Sequence, residues 1–378
     1  MSRWEYRLSA IALRIVGWLC RWLPVRDRIV LASPRTGTLE GNLRFLEREI
    51  RARRPDLPIV LLLETYSYGL LGKLRYAVRV LRGMVLLRTS RTFVVDNAYL
   101  PVHVAPHSNR TTVIQVWHAA GALKRFGVDT IQPLAEPERT FLHRHYDFVV
   151  TTGETSRGPW SRALRTPIER VLPLGTPRID LFADPAGLAD ARARIERRHP
   201  MLAGRRVVTY APTFRGRGRD KRSAGAFDAH AVRAALGAGD VLVLKSHPNL
   251  DPRRVDTAGF DLVVDPIDEM NDVLAATDVL VTDYSSSIFE YALLRRPLIL
   301  LVPDLAEYER DPGLYLDYRA GMIGTQVADT AGVIEALREA ATGGGVDDAM
   351  WDVFITRHVE TADGRASARF VERFLASD

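Results

Sequence analysis

Short, β-rich apolar runs alternate with stretches of helical periodicity almost throughout this chain, and that alternation leaves few folds open. The runs 28–33, 58–63, 92–96, 112–117, 147–151 and 170–174 read as strands, and a second series follows at 206–211, 241–245, 261–264, 278–282 and 298–302. Candidate helices separate them, notably 38–53 in the first series and 228–236, 269–276, 285–294 and 331–342 in the second. Strands that alternate with helices build βαβ units and parallel sheets, because a parallel connection needs a crossover long enough to hold a helix. Between the two series lie the turn-rich "LGTPRIDLFADP" (174–185) and a polar helix, 186–198. A chain of 378 residues is also too long for one ordinary core. The expected fold class is α/β, with two Rossmann-like domains, 1–185 and 186–378, whose parallel sheets face a central cleft. A last helix, 364–376, could pack back on the first domain.

In such sheets ligands bind beyond the carboxyl ends of the strands, and the chemically unusual residues fall there. In "VLVTDYSSSIFEYALLRRPLIL" (279–300) an apolar strand ends at Thr282 and Asp283, and Ser285, Ser286 and Ser287 then open a helix. Hydroxyls and free N–H groups at a helix N-terminus make a phosphate cradle. Glu290, a little over one turn further on, could meet ribose hydroxyls. Helix capping explains one serine, but not three with flanking acids. "VLVLKSHPNL" (241–250) places Lys245, Ser246 and His247 at another strand mouth. A lysine and a histidine there can neutralise a diphosphate and stabilise its departing oxygen. "VVTYAPTFRGRGR" (207–219) repeats the pattern with Thr213 and Arg215.

The first domain contributes "VIQVWHAAGALKRFG" (113–127), where a buried-type strand ends on His118 and is followed by residues with almost no side chain. An unperturbed imidazole titrates at about 6.5, which suits proton transfer near neutrality. Ala119, Ala120 and Gly121 allow backbone and substrate to approach closely. Lys124 then offers a positive charge near an expected helix start. A histidine alone is more often structural; one framed in this way reads as a catalytic base facing the phosphate site of the second domain.

The charge balance narrows the partners. A net charge of +6 and a pI near 9.5 point to an anionic partner: nucleic acid, acidic lipid or a phosphorylated substrate. In "MSRWEYRLSAIALRIVGWLCRWL" (1–23), Arg7, Arg14 and Arg21 form one basic stripe with Arg3 beside it. No run approaches the ~18 apolar residues that span a bilayer, and a secretory signal is not expected because arginine interrupts the apolar stretch. Two readings stay open: a helix packed on its own domain, or an interfacial helix with Trp4, Trp18 and Trp22 at headgroup depth. In "LLGKLRYAVRVLRGMVLLR" (70–88), Leu71, Leu74, Val78, Leu81 and Val85 line one face and Arg75, Arg79 and Arg82 another. Two basic amphipathic segments in one domain favour an anionic membrane surface. The basic pI and the Arg-rich piece 214–227 suggest nucleic acid, but it is not expected as a partner, because the basic residues cluster at strand ends and amphipathic faces without interleaved stacking aromatics.

Other chemistries find little support. The single cysteine, Cys20, excludes an intramolecular disulfide framework and a multi-cysteine zinc site, and fits a reducing cytoplasm. There is no Gly-x4-Gly-Lys-Ser/Thr loop, no H-E-x-x-H and no G-x-S-x-G. "HRHYD" (143–147) lacks a third metal ligand, so His143 and His145 read as surface or cleft-edge residues.

Five blocks together carry a resemblance: "QVWHAAGALKRFG", "GTPRID", "YAPTFRG", "KSHP" and "VTDYSSSIFEYALLRRPLILLVPDLAEYERDPGLYLDY". In order and spacing, over about 115 to 318, the chain resembles the CDP-glycerol glycerophosphotransferase family of teichoic acid synthesis. One departure follows Trp117-His118: many members read Gly-Thr-Pro-Leu-Lys where this chain has the one-residue-longer Ala119-Ala120-Gly121-Ala122-Leu123-Lys124. The resemblance implies a GT-B fold and peripheral attachment to the cytoplasmic face of the membrane. It implies transfer of a polyol phosphate, glycerol phosphate first, from CDP-glycerol or CDP-ribitol to a lipid-linked acceptor, releasing CMP. His118 would be the base and His247 would stabilise the diphosphate. Thr213, Arg215, Lys245, Asp283, Ser285, Ser286 and Glu290 would hold the donor, and Lys124 would lie on the acceptor side. No metal-ligand set and no bound cofactor are expected. A GT-B glycosyltransferase using a nucleotide sugar shares the same phosphate cradle and stays open as the alternative.

Overall fold

The structure, a computed structural model, describes residues 3–63, 69–131, 136–216, 226–246, 255–265, 268–344 and 347–376. The chain divides into two compact units, Met1–Asp180 with Thr361–Asp378, and Leu181–Glu360.

The first unit holds six parallel strands: β1 (Arg26–Ser33), β2 (Ile59–Leu63), β3 (Ser90–Val95), β4 (Thr112–Gln115), β5 (Phe148–Val150) and β6 (Val171–Leu172). Their order is β2-β1-β3-β4-β5-β6. The strands are apolar on both faces, as a sheet covered on both sides requires. Val30, Ala32, Phe93, Val95 and Val113 pack into one core with residues of helices Arg3–Leu19, Leu70–Thr89 and Glu154–Ala163. Ile29, Leu31, Val94 and Ile114 face the other way, onto residues of helices Gly41–Arg53 and Ala366–Phe374. The last of these helices belongs to the first unit because the turn Gly175–Asp180 receives it. Ala366 N–H and Ser367 N–H donate to the two carboxylate oxygens of the buried Asp180, each at 2.8 Å.

The second unit is also a six-stranded parallel sheet: β7 (Arg206–Ala211), β8 (Asp240–Leu244), β9 (Leu262–Val263), β10 (Val279–Thr282), β11 (Leu298–Leu301) and β12 (Thr325–Val327), ordered β12-β11-β10-β7-β8-β9. Counted along this unit alone, that is the doubly wound order 3-2-1-4-5-6. Each sheet therefore has a point where strand order reverses, between β1 and β3 in the first and between β7 and β10 in the second. Connections leave opposite faces of the sheet there, and the loops part to form a crevice.

Edge strand β12 escapes the sequence pattern. Its three residues are half-buried and include Gln326, so it carries no apolar run. The expected helix 285–294 is a short α-helix, Ser287–Tyr291, followed by a 3-10 turn, Ala292–Leu294.

Helix Arg3–Leu19 is apolar on two opposite faces. At about 100° per residue, the buried residues Ala10, Leu13, Gly17 and the following Cys20 make one stripe, set against a core that includes Met84 and Leu87. Trp4, Leu8, Ile11, Ile15 and Trp18 make the opposite stripe and are more than half exposed. Arg7, Arg14 and Arg21 border that exposed stripe. Helix Leu70–Thr89 repeats the arrangement, exposing Leu71, Leu74, Val78 and Leu81. It departs from expectation at Arg79, which is buried with its guanidinium 4.9 Å from the Tyr76 ring centroid, whereas Arg75 and Arg82 remain exposed.

Candidate active site

In the second unit the reversal point brings the ends of β7 and β10 side by side. The Thr213 N–H and hydroxyl donate to the two oxygens of Asp283 at 2.9 and 3.0 Å, and both residues are buried. Arg215 joins the same knot. Its Nη1 donates to Asp283 at 2.9 Å, while Nε and Nη2 hold the two oxygens of Asp304 at 2.6 and 3.2 Å. The guanidinium also lies 5.1 and 5.0 Å from the ring centroids of Tyr284 and Tyr308, which stack on each other. Burial alone would lower the Arg215 pKa, but the two carboxylates more than offset it and push it up. One cation thus faces two anions. In this arrangement Arg215 fixes the ends of β7, β10 and β11 relative to one another, and its charge is already matched before any phosphate arrives.

Lys245 is likewise committed. It is buried beyond β8, and its ammonium donates to the carbonyls of Asp265 and Asp268, each at 2.7 Å. His247 lies outside the described residues. Ser285 and Ser287 share a hydroxyl hydrogen bond of 2.7 Å, and the Ser287 N–H donates to Ser285 Oγ at 3.2 Å. Ser286 is half-buried beside them. Glu290 has no exposed surface, so a ribose contact would need the side chains around it to move. Thr213, Arg215, Asp283 and the serines therefore sit at the reversal point, while Lys245 flanks it one strand away.

In the first unit His118 follows a backbone outlier. Trp117 has a φ of 50°, a left-handed conformation that a bulky residue rarely adopts. This ends β4 two residues before the expected strand limit. Several buried groups impose the turn. The Gln115 carboxamide oxygen accepts from the Trp117 N–H at 2.8 Å, and its nitrogen donates to the Asn97 carbonyl and the Tyr146 hydroxyl. Asn42 donates to the carbonyls of Val116 and Trp117 at 3.1 and 2.8 Å and accepts from the Arg178 N–H at 3.0 Å. Its amide ties the start of helix Gly41–Arg53 to the histidine turn and to the turn at Gly175–Asp180. His118 Nδ1 lies 3.3 Å from the Asp96 carbonyl, and its ring lies 4.4 Å from that of Trp117. With Nδ1–H donated to a carbonyl, the basic lone pair sits on Nε2.

Gly121 has a φ of 61°, and its N–H donates to the buried Thr152 hydroxyl at 2.8 Å while its carbonyl accepts from Trp160. Lys124 is half-buried in an extended segment; the next helical turn is the 3-10 turn Gly127–Asp129, so it does not open an α-helix. His143 corrects a surface reading. It is buried, its Nδ1 lies 3.1 Å from the Tyr146 hydroxyl, and its ring packs edge-on to Trp117. Burial, helped by Arg165, pushes its pKa down to about 3, so it packs as a neutral ring beneath the Trp117 turn.

Sequence reasoning missed Arg35, Asn42, Asp96, Gln115 and Asp304. The strand-end rule, applied to β1, β3 and β11 as it was to β4, β7, β8 and β10, would have found Arg35, Asp96 and Asp304. Burial pushes the Asp96 carboxyl up to about 6, with Arg35 and a Ser33 hydrogen bond holding it lower than burial alone would. The folded state therefore keeps this proton more tightly than the unfolded one, and the stability it lends at low pH is lost as pH rises through about 6. Asp96→Asn is accordingly expected to melt higher than the parent at about pH 8, with the gain shrinking by about pH 5. Thermal denaturation at both pH values checks this.

The model of the family described as CDP-glycerol:poly(glycerophosphate) glycerophosphotransferase matches residues 19–376. The teichoic acid ribitol-phosphate primase of Bacillus spizizenii is 31% identical over 371 residues, covering 94% of this chain and 93% of that protein. The teichoic acid poly(ribitol-phosphate) polymerase of the same organism is 28% identical, and the match covers 94% of this chain but 57% of the polymerase. Among solved structures, the wall teichoic acid polymerase TagF superposes with a TM-score of 0.77 at 19% identity, over 98% of this chain and 97% of that one. At that identity the likeness bears on fold, which is GT-B-like, with one parallel six-stranded sheet in each unit. The chain belongs to the CDP-glycerol:poly(glycerophosphate) glycerophosphotransferase family.

Proposed function

We propose that this protein transfers a polyol phosphate from a CDP-polyol, CDP-glycerol or CDP-ribitol, to a hydroxyl of a lipid-linked acceptor in the synthesis of a teichoic-acid-like polymer. The acceptor oxygen bonds to the β-phosphorus of the donor, the bond from that phosphorus to the bridging oxygen breaks, and CMP leaves with the bridging oxygen. The acceptor proton passes to Nε2 of His118. The observation that carries this reading is the placement of His118 at a strand end, oriented through Nδ1 by the Asp96 carbonyl and fixed by the left-handed Trp117. Curated relatives named as ribitol-phosphate and glycerol-phosphate primases support the substrate class.

The donor binds at the β7/β10 reversal point. Thr213, Asp283 and Arg215 form its floor, Ser285 and Ser286 supply hydroxyls, and Lys245 flanks the site. His247 stabilises the leaving phosphate, and Lys124 lies on the acceptor side. Membrane attachment is peripheral, at the cytoplasmic face, through the exposed apolar stripes of Arg3–Leu19 and Leu70–Thr89. Among the described residues no helix is long and apolar enough to cross a membrane.

Calorimetric titration with CDP-glycerol, CDP-ribitol, a UDP-sugar and a CMP-sugar tests the reaction class. Selective binding of a CDP-polyol, followed by CMP release with a lipid-linked acceptor, is expected. Selective binding of a nucleotide sugar would replace this reading with a glycosyltransferase.

A further inference from the structure

The reversal point of the first sheet, between β1 and β3, holds a buried carboxylate oxygen that has no hydrogen-bond partner among the described residues. It is Oδ1 of Asp96, beyond β3, a residue 6% exposed. Beyond β1, Arg35 has a guanidinium close enough to act on that carboxylate, yet it forms no ion pair with it among the described residues. Arg178, from the turn at Gly175–Asp180, places a second positive charge beside Arg35, and the two repel; Glu40 partly offsets this. An unpaired buried carboxylate oxygen costs free energy, and so do two like charges held close. Both costs fall if a ligand supplies an anion to the arginines and a hydroxyl to Asp96 Oδ1. The main chain of Asp96 meanwhile holds His118 Nδ1 at 3.3 Å, so such a ligand would lie beside the base.

We infer that the β1/β3 reversal point is the acceptor subsite, and that it takes the end of a polyol phosphodiester. Arg35, with Arg178 beside it, holds the phosphodiester anion, and Asp96 Oδ1 accepts a hydrogen bond from a polyol hydroxyl next to the attacking one. This rests on the transfer reaction proposed above, and it adds which residues select the acceptor. One residue then does two separable things: the Asp96 carbonyl orients the base, and its carboxylate reads the substrate. Side-chain substitution removes only the second.

The test is calorimetric and omits the donor. A water-soluble analogue ending in a glycerol phosphodiester is titrated into the wild-type protein and into Arg35→Met, Arg35→Lys, Asp96→Ala and Asp96→Asn, each first shown to melt cooperatively. Arg35→Met and Asp96→Ala are each expected to weaken binding about tenfold, since each removes a hydrogen bond to a charged group. Arg35→Lys and Asp96→Asn should lose less. A second analogue, lacking the hydroxyl next to the terminal one, should bind the wild type about tenfold more weakly but bind Asp96→Ala no worse than the first analogue does, a non-additivity that a merely structural role would not produce. Titration of a CDP-polyol into the same variants should give affinities within about twofold of wild type. The inference is overturned if the wild type binds neither analogue, if Arg35→Met and Asp96→Ala bind the first analogue like the wild type, or if their loss appears in donor affinity instead. Failure of the transfer reading shows separately, as donor binding that selects a nucleotide sugar.

Discussion

His118→Ala is expected to lower CMP release by about 10²–10⁴-fold, the range that a positioned general base contributes, while leaving CDP-polyol affinity within about twofold of the parent. Donor affinity is spared because the donor floor is built in the second unit from Thr213, Asp283 and Arg215, which make no use of His118. The fold is spared because His118 is half-buried, and because Gln115 and Asn42 hold the Trp117 turn through backbone groups that the substitution leaves in place. A smaller loss is expected for Gln115→Leu. It removes the acceptor of the Trp117 N–H and a donor to Tyr146, so the imidazole loses orientation but not its chemistry. Imidazole added in solution should restore part of the His118→Ala rate and none of the Gln115→Leu rate. Single-turnover CMP release with saturating donor and acceptor measures all three. Wild-type turnover by His118→Ala would remove it from the role of base.

The sequence made the two sheets legible because a parallel sheet covered on both faces needs apolar strands, and such strands stand out from the helices between them. Strand-end residues of the second unit were legible for the same reason. Thr213, Arg215 and Asp283 follow apolar runs that end abruptly, and the structure brings those three together. Their partners were not legible. Nothing local to "TFRG" says that its arginine is matched by Asp304, 89 residues away, since that pairing exists only once β7, β10 and β11 lie in register. Asp96 and Arg35 have the same difficulty in the first unit. The left-handed Trp117 is harder still, because its conformation is imposed from outside by Asn42, Gln115 and Tyr146. A sequence read for propensity extends the strand through it. His143 misled for the converse reason: "HRHYD" is polar in composition, yet the ring is satisfied inside by Tyr146 and packs against Trp117.

Replacing Trp4, Trp18 and Leu74 together by serine is expected to abolish most sedimentation with anionic vesicles while leaving the melting temperature and the turnover of a water-soluble acceptor nearly unchanged. Trp4 is 73% exposed, Trp18 55% and Leu74 60%, so none of them holds the fold together, and surface changes of this kind usually stay within about 0.5 kcal/mol of stability. Large apolar side chains gain about 1.5–3 kcal/mol each on leaving water, so even partial insertion of three makes the loss at least about 100-fold in partitioning. Removing the first 23 residues would be a poorer experiment. It would strip Ala10, Leu13 and Cys20 from the protein and bare Met84 and Leu87, so lost turnover would report a damaged core. Salt separates the two contributions. The arginines bordering the exposed stripe act through charge, worth about 1 kcal/mol each near an anionic leaflet and screened by salt, whereas the apolar part persists in high salt. The wild type should therefore pellet with anionic vesicles, less so at high salt, and the triple variant should lose the residue of binding that salt leaves behind. If the triple variant pellets as the parent does at high salt, the two exposed stripes do not meet the bilayer, and the peripheral attachment proposed here is wrong.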